Sequence, residues 1–501
     1  MALIHWDSDA WITGITESDF VNASKNQGIN PTWRAIWNLI RLPYWERVWI
    51  VQEVVLPKAV LLICDDVSLD MEILDDCVSI LRLGRSAKNW SSFEDHQHLK
   101  VPNGWCKNCW VSAAKKFDSI IQTRQQVAKA RMETIDTRGM AMHVYSNFRR
   151  LKATDPKDLV YGLLGLSKLP IEVNYNKTLD QVYADYVRYW IESTNHPSPR
   201  QESYTAETML QRYHFLLYAG LCAWSHNGSV PSWVPNLESR KSRIQIPQNR
   251  LYLLSASNET VDKVQYPDLI IPKVRIQRVR RECRIVIEPP NEIDKSSTID
   301  KGFLSHLRDL TLQDRDYVTG IPILQAVCRA LAQDDEPNFE RNAPRMVSLI
   351  RALMNTRGFD ETYRILDPKF RQPFTNRQEE LIWFSRKLGC KDENWLQRFF
   401  DINDNWQEKE TLSGLWIQDN YLMRYRFFET EDGYLGMGPL SLRPDDELCL
   451  IRNCTIPVLL RKKDDHYVYV GPCWIVGLDS EDELKRLEER GRVERCDVTI
   501  R

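Results

Sequence analysis

Trp49 and Glu53 stand four residues apart in the segment Arg41-Leu-Pro-Tyr-Trp-Glu-Arg-Val-Trp-Ile-Val-Gln-Glu53. On a helix Trp45, Trp49 and Glu53 share one face. Val48, Ile50, Val51, Val54 and Val55 make the rest of the helix apolar, and a carboxylate beside two indoles there is expensive to bury without a partner. Glu53 therefore either pairs with an arginine such as Arg41 or Arg47, or faces solvent, or is a functional carboxylate. In the last case its negative charge is what the function would use.

Other constellations carry less. The chain has no phosphate-binding loop, zinc-protease helix or serine nucleophile elbow. Gly433-Tyr-Leu-Gly436-Met-Gly438 has the wrong order for a dinucleotide loop and runs into Pro439, so a hairpin turn is expected there. Cys106 and Cys109, with His96 and His98 upstream, are residue types that zinc accepts. One cysteine pair with loosely placed histidines does not complete a site, and no bound metal is expected. Arg275, Arg278, Arg280, Arg281 and Arg284 alternate with Val274, Ile276 and Val279. That pattern reads as a solvated strand face rather than a nucleic-acid site.

The elements that must position Glu53 follow from caps and apolar periods. Asn30-Pro31 opens a helix bearing Trp33, Ile36, Trp37 and Ile40, and a second helix is expected from about Tyr44 to Val55. Ala59 to Cys64 is a continuous apolar run, predicting a strand buried on both faces of a parallel sheet. A helix from near Asp70, an irregular stretch over 84–104 and helical pattern over 110–151 follow. Asp155, Pro156 and Asp158 form a helix start whose Gly162 and Gly165 permit close packing. Thr178 begins an amphipathic helix with Val182, Tyr186, Tyr189 and Trp190, and another apolar helix is expected over 209–224. Leu269-Ile-Ile and Arg284-Ile-Val-Ile read as two strands, helices return between 321 and 388, and the last hundred residues are rich in strand signals.

At 501 residues the chain is long enough for two or three domains. A net charge of −2 gives no global pull toward nucleic acid or anionic membrane. No apolar run approaches the ~20 residues of a membrane span, and Met1 to Asp9 does not have the pattern of a signal peptide. The 12 cysteines are scattered and expected to be reduced thiols. A cytoplasmic location is the expectation.

Arg41 to Pro57 resembles the signature of fungal heterokaryon-incompatibility (HET) domains, in which a Trp-Arg-Val-Trp core leads into Gln-Glu-Val. Here Glu-Arg-Val-Trp-Ile-Val-Gln-Glu-Val occupies that place. Thr154-Asp-Pro-Lys-Asp-Leu-Val-Tyr-Gly-Leu-Leu-Gly-Leu resembles the family's second block, with Tyr175 and then Val182-Tyr183 as its usual followers. Pro231-Ser-Trp-Val-Pro-Asn is similar to an element found after the domain in many members. Arg426-Phe-Phe and Gly433-Tyr-Leu-Gly through Tyr469-Val-Gly471 are similar to the carboxy-terminal region of the same long proteins. The family's usual Ser-Tyr-x-Trp-Gly strand and Ile-Asp-x-x-Cys-Ile-Asn-Gln motif do not occur before Pro31, so only the later part of a HET domain is expected.

The resemblance implies an α/β fold like that of TIR domains, a flavodoxin-like parallel sheet with flanking helices, here incomplete, followed by a mixed α+β region. The expected divisions are a partial HET domain over 1–195, a helical and mixed region over 196–400, and a strand-rich region over 401–501. The implied function is vegetative incompatibility: self/non-self recognition and programmed cell death. The implied partners are proteins, either incompatibility-locus products or further copies of the chain. TIR domains carry a Trp-x-x-x-Glu motif whose glutamate serves those members that hydrolyse NAD. Trp49 and Glu53 have that spacing, which makes Glu53 the candidate catalytic carboxylate, Trp49 its support and NAD the candidate substrate. An inactive interaction remnant is the other alternative.

Overall fold

A computed structural model of the chain describes residues 39, 42–64, 67–75, 117, 120–129, 151–195, 213–224, 230–238, 263–284, 286–288, 298–312, 316–333, 377–389, 424–451, 454, 456–478 and 481–501. The chain divides into two compact units, residues 1–182 and 183–501.

In the first unit Pro43 opens a short 3-10 helix, Pro43–Glu46, and Arg47 then takes an extended backbone with φ −76° and ψ 134°. The α-helix α1 begins after it and spans Val48–Val55. The one continuous helix expected from Tyr44 is therefore two pieces. The break has a partner: Arg47 bridges Lys152 in parallel, and Val48 N–H donates to the Lys152 carbonyl at 3.0 Å. It also separates the two indoles. Trp45 turns inward, 3% exposed, donates to the Leu39 carbonyl at 2.7 Å and packs edge-on against Phe117. Trp49 stays 38% exposed, so Trp45 does not share a face with Trp49 and Glu53.

The carbonyls at the end of α1 are gathered by one side chain. Arg124, within a helical stretch over 120–129, donates to the carbonyls of Val54 at 2.6 Å, Pro57 at 2.7 Å and Lys58 at 2.7 Å. Charge-assisted bonds at a helix C-terminus are favourable in both hydrogen bonding and dipole. Arg124→Ala should destabilise the first unit by about 1–3 kcal/mol, read as a lower denaturation midpoint, whereas an unchanged midpoint would show that water replaces the guanidinium at no cost.

The expected buried strand is half of a hairpin. β1, Leu61–Cys64, pairs antiparallel with β2, Val67–Asp70, from Leu61 opposite Asp70 to Cys64 opposite Val67. Leu61 and Ile63 are 57% and 71% exposed. An apolar run marks a doubly buried strand only where layers cover both faces, and this hairpin leaves one side chain in two open.

The second motif block forms two single turns, α2 over Asp158–Tyr161 and α3 over Leu164–Ser167. The Asp155 carboxylate accepts from the Lys157 N–H at 2.9 Å ahead of them. Gly162 and Gly165 do permit close packing: a Cβ on Gly162 would lie 3.1 Å from a Val48 methyl, and one on Gly165 would strike the Gln52 amide. The helix expected from Thr178 is α4, Leu179–Asn195, which begins in one unit and ends in the other. Val182, Tyr186 and Trp190 are buried, while Tyr189 is half-buried with the Arg188 guanidinium 4.8 Å over its ring.

The second unit is built around one sheet. Its strands are β3 (Lys263–Gln265), β4 (Asp268–Arg284), β7 (Tyr425–Thr430), β8 (Leu435–Pro439), β9 (Glu447–Ile451), β10 (Val458–Lys462), β11 (Tyr467–Pro472), β12 (Trp474–Ile475) and β13 (Glu494–Ile500), with a small pair β5 (Val286–Glu288) and β6 (Thr298–Ile299) apart. The order β4-β13-β11-β10-β9 returns to β4, because β9 pairs with β4 from Lys273 to Arg278. Five strands thus close a ring. The far half of β4 leaves the ring to pair with β7, and β8 and β12 follow outward. The middle and carboxy-terminal regions of the sequence share this sheet.

The first of the two expected strands, at Leu269-Ile-Ile, continues through the arginine stretch as β4, and the second falls on its last residue, Arg284, and on the separate strand β5. Val274, Ile276 and Val279 are buried. The arginines meet acids on neighbouring elements: Arg275 pairs with Glu494, Arg281 with Asp309 at 2.9 Å, and Arg278 approaches Glu447 at 3.8 Å. Helices α5 (Lys301–Leu312), α6 (Ile323–Ala332), α7 (Arg377–Leu388) and α8 (Glu481–Glu489) complete the unit. α6 packs on β8 and α7, and α5 on β4. α8 is pinned by the Tyr434 hydroxyl, which donates to Glu483.

Over 213–224, the described part of the apolar helix expected over 209–224, the chain instead forms a 3-10 turn, His214–Tyr218, running into irregular backbone. The reason lies in the next motif. Gly220 N–H donates to the Ser232 carbonyl and Asn236 N–H to the Tyr218 carbonyl, so Pro231-Ser-Trp-Val-Pro-Asn takes the bonds that a helix would keep. Trp233 is fully buried and donates to the Pro267 carbonyl at 2.8 Å. Ser232 Oγ receives the Tyr469 N–H at 2.8 Å and donates to the Arg501 carbonyl at 2.7 Å. This motif is a structural latch on the sheet.

Candidate functional site

Trp49 and Glu53 lie one turn apart on α1, and both are exposed. No basic side chain pairs with Glu53 among the described residues; Arg41 lies outside them. Its neighbour is Tyr44, whose hydroxyl donates to Oε2 at 3.4 Å. Burial and then the Glu53 charge raise the Tyr44 pKa, with Arg47 opposing. The other side of the turn reaches the second motif block. Trp49 Nε1 donates to Asp158 Oδ2 at 3.3 Å, and the Tyr175 hydroxyl donates to Asp158 Oδ1 at 2.6 Å. The bond to Asp158 is the main reason that the Tyr175 phenol is pushed up to about 12. Beneath this face Gln52 donates to the Gly162 carbonyl, and Tyr161 donates to the Asn174 carbonyl at 2.9 Å.

Two segments a hundred residues apart thus build one surface of two carboxylates and three aromatic side chains. The spacing of Trp49 and Glu53 revealed their common face. It could not reveal Asp158 and Tyr175 as neighbours, because nothing local links them. The only signal was that they recur in the block that accompanies the first motif. Cys106, Cys109, His96 and His98 lie outside the described residues. No group of three or more ligating side chains suited to a metal occurs among the described ones.

The second unit holds three further polar constellations. Cys283 Sγ lies 3.8 Å from His306 Nδ1, and His306 Nε2 is 2.9 Å from Glu429 Oε2. The order thiol, imidazole, carboxylate has the form of a nucleophilic triad. Burial pushes the Cys283 thiol up to about 12, however, and all three groups are buried. A protonated thiol without access is a core group, not a nucleophile. Beside Glu429 opens a cleft of about 340 Å³ lined by Arg280, Glu429, Glu431, Asp432, Gly433, Arg490 and Arg492. Its charges are balanced in sign, and Asp432 is already held by Gln277 at 2.8 Å and Arg492 at 3.4 Å. Gly433 belongs to the turn joining β7 to β8, with φ +88°, and Gly436 and Gly438 lie in β8. The glycine cluster is a hairpin, as its order suggested.

The third constellation lies in the ring itself. Lys273 Nζ meets Glu447 Oε2 at 2.6 Å with both side chains buried, and it lies 3.6 Å from the centre of the Tyr467 ring. A closed ring of strands in the last part of the chain is the feature against which a family comparison can be read.

Residues 369–492 match the Het-6 beta-barrel domain. This HET-associated family covers α7, β7 to β12 and α8, which accounts for the similarity of the strand-rich end to HET proteins. The closed ring of strands reaches beyond the match, since β4 and β13 lie outside 369–492 and both belong to it. No curated protein and no solved structure matches the chain. Among the described residues, no helix is long and apolar enough to cross a membrane.

Proposed function

We propose that this chain is a heterokaryon-incompatibility protein acting in the cytoplasm, one that couples self/non-self recognition to cell death. The observation that carries the reading is the interlock of the two motif blocks. Trp49 with Asp158, Gln52 with Gly162, and Val48 against Gly162 make one folded piece of the two blocks whose sequences resemble HET domains, which supports that reading. The Het-6 barrel match supports it independently at the other end of the chain. On this reading the first unit is the later part of a TIR-like α/β domain, the Trp49–Glu53 face is its working surface, and the barrel unit serves protein recognition. Overexpression of the full chain in a filamentous fungus should arrest growth and kill cells, whereas normal growth at high protein level would leave an inactive remnant as the better reading.

A second reading, NAD glycohydrolysis through Glu53, draws on the same accessible carboxylate beside an indole. Cleavage of the nicotinamide–ribose bond also requires the substrate to be held in a reactive pose, and Glu53 on an exposed turn does not supply that alone. The purified chain should therefore hydrolyse NAD well below about 1 per second. Turnover at or above that rate, lost in Glu53→Gln, would make the enzymatic reading the primary one.

A further inference from the structure

The aromatic side chains of the first unit do more than hold its carboxylates. Tyr44, Trp49 and Tyr175 donate to Glu53 and Asp158, yet they remain 37%, 38% and 48% exposed. Each keeps part of its ring in water while its polar edge bonds a carboxylate at the surface. Trp49 and Glu53, one turn apart on α1, join the two hydrogen-bonded groups into one surface. Tyrosine and tryptophan are enriched at interfaces, where one end meets apolar surface and the other stays wet.

The charge of the surface narrows the partner. Glu53 accepts from Tyr44, Asp158 accepts from both Trp49 and Tyr175, and Asp155 is close enough for its charge to act on Tyr175. Among the described residues, the basic side chains that act on these aromatics or their segment are Arg47, which acts on Tyr44, and Lys157, whose ammonium is engaged by the Tyr175 carbonyl at 2.7 Å. A nucleic acid or an anionic lipid surface would meet these carboxylates as like charge. A purely apolar partner would strip them of water with nothing in return. A cation satisfies both features, since ring faces attract positive charge and carboxylates pair with it. Guanidinium suits them better than ammonium, because it stacks flat on an indole and binds a carboxylate through two N–H groups at once.

We propose that this face docks an arginine-bearing segment of a partner protein, with a guanidinium against the Trp49 ring and the carboxylates of Glu53 and Asp158 beside it. The proposal rests on the reading of this face as the working surface. Its test is binding, which is separable from killing. A fluorescently labelled oligoarginine peptide is titrated with the purified full chain at physiological ionic strength, with oligolysine and oligoserine peptides as controls. The expected order is oligoarginine tightest, oligolysine weaker and oligoserine unbound. Glu53→Gln and Trp49→Ala should each weaken oligoarginine binding by roughly five- to tenfold. Glu53→Gln changes an exposed side chain without altering its size, so it reports on the surface even if Trp49→Ala perturbs the fold. No oligoarginine binding by the wild-type chain, or equal binding by wild type and Glu53→Gln, overturns the proposal. Either result with cell killing intact leaves the incompatibility reading standing, and loss of killing with binding intact does the reverse.

Discussion

Deleting Glu494–Arg501 should abolish cooperative unfolding of the second unit, although these residues lie beyond the segment that matches the Het-6 barrel. β13 pairs with β4 from Glu494 opposite Arg275 to Ile500 opposite Leu269, and it meets β11 where Ile500 lies opposite Tyr467. Among the described strands it is the one that lies between β4 and β11, so the ring opens without it. Ile500 is fully buried and Val498 nearly so, and burying such side chains contributes about 1.5–3 kcal/mol each. The deletion also removes the Arg501 carbonyl that anchors Ser232 and opens two strand edges. These losses together approach the whole stability of a typical domain, about 5–15 kcal/mol. Thermal unfolding followed by circular dichroism, with limited proteolysis, reads the result. A truncated chain with the wild-type midpoint would mean that the ring does not depend on its last strand. By the same argument, residues 369–492 alone should not fold, because they lack both β4 and β13.

The second large effect concerns the ion pair inside that ring. Glu447→Leu leaves the Lys273 ammonium buried, with the Tyr467 ring as its remaining neighbour of note, and should cost about 3–5 kcal/mol. Lys273→Met should cost less, because Glu447 keeps Arg278 at 3.8 Å, and Arg278 is 45% exposed and well hydrated. The double variant Lys273→Met/Glu447→Leu should recover most of the loss, since a buried ion pair is often no more stable than apolar residues of similar volume. The coupling is read from denaturant midpoints of the two single variants and the double. Additive losses would show that the pair does not act as a unit.

What the sequence made legible was mostly local. The cap at Asp155, the close packing at Gly162 and Gly165, the helix after Thr178 and the hairpin at Gly433 each follow from neighbours within a few residues. The face shared by Trp49 and Glu53 was readable for the same reason. Its extension to Trp45 was not, because the break at Arg47 is imposed by Lys152, a hundred residues away. The exposure of Leu61 and Ile63 was hidden because an apolar run reports composition, not which layer covers it. The barrel was the least legible element. β4 meets β9, β13 and β7 across more than a hundred residues, and the arginines within it masked a continuous strand. Lys273 and Glu447 each look like surface residues until those strands are paired.

If the face around Glu53 is the working surface of an incompatibility protein, killing depends on the Glu53 charge, and Glu53→Gln tests that most directly. The substitution keeps the size of the side chain and can still accept the Tyr44 hydroxyl, while removing the charge. The full chain and the variant are expressed to equal protein levels in a filamentous fungus, and viable cells are counted. The wild-type chain should kill and Glu53→Gln should not, with both proteins unfolding at the same midpoint. Killing by Glu53→Gln at the wild-type level would contradict it and leave Glu53 a surface residue without a part in the function.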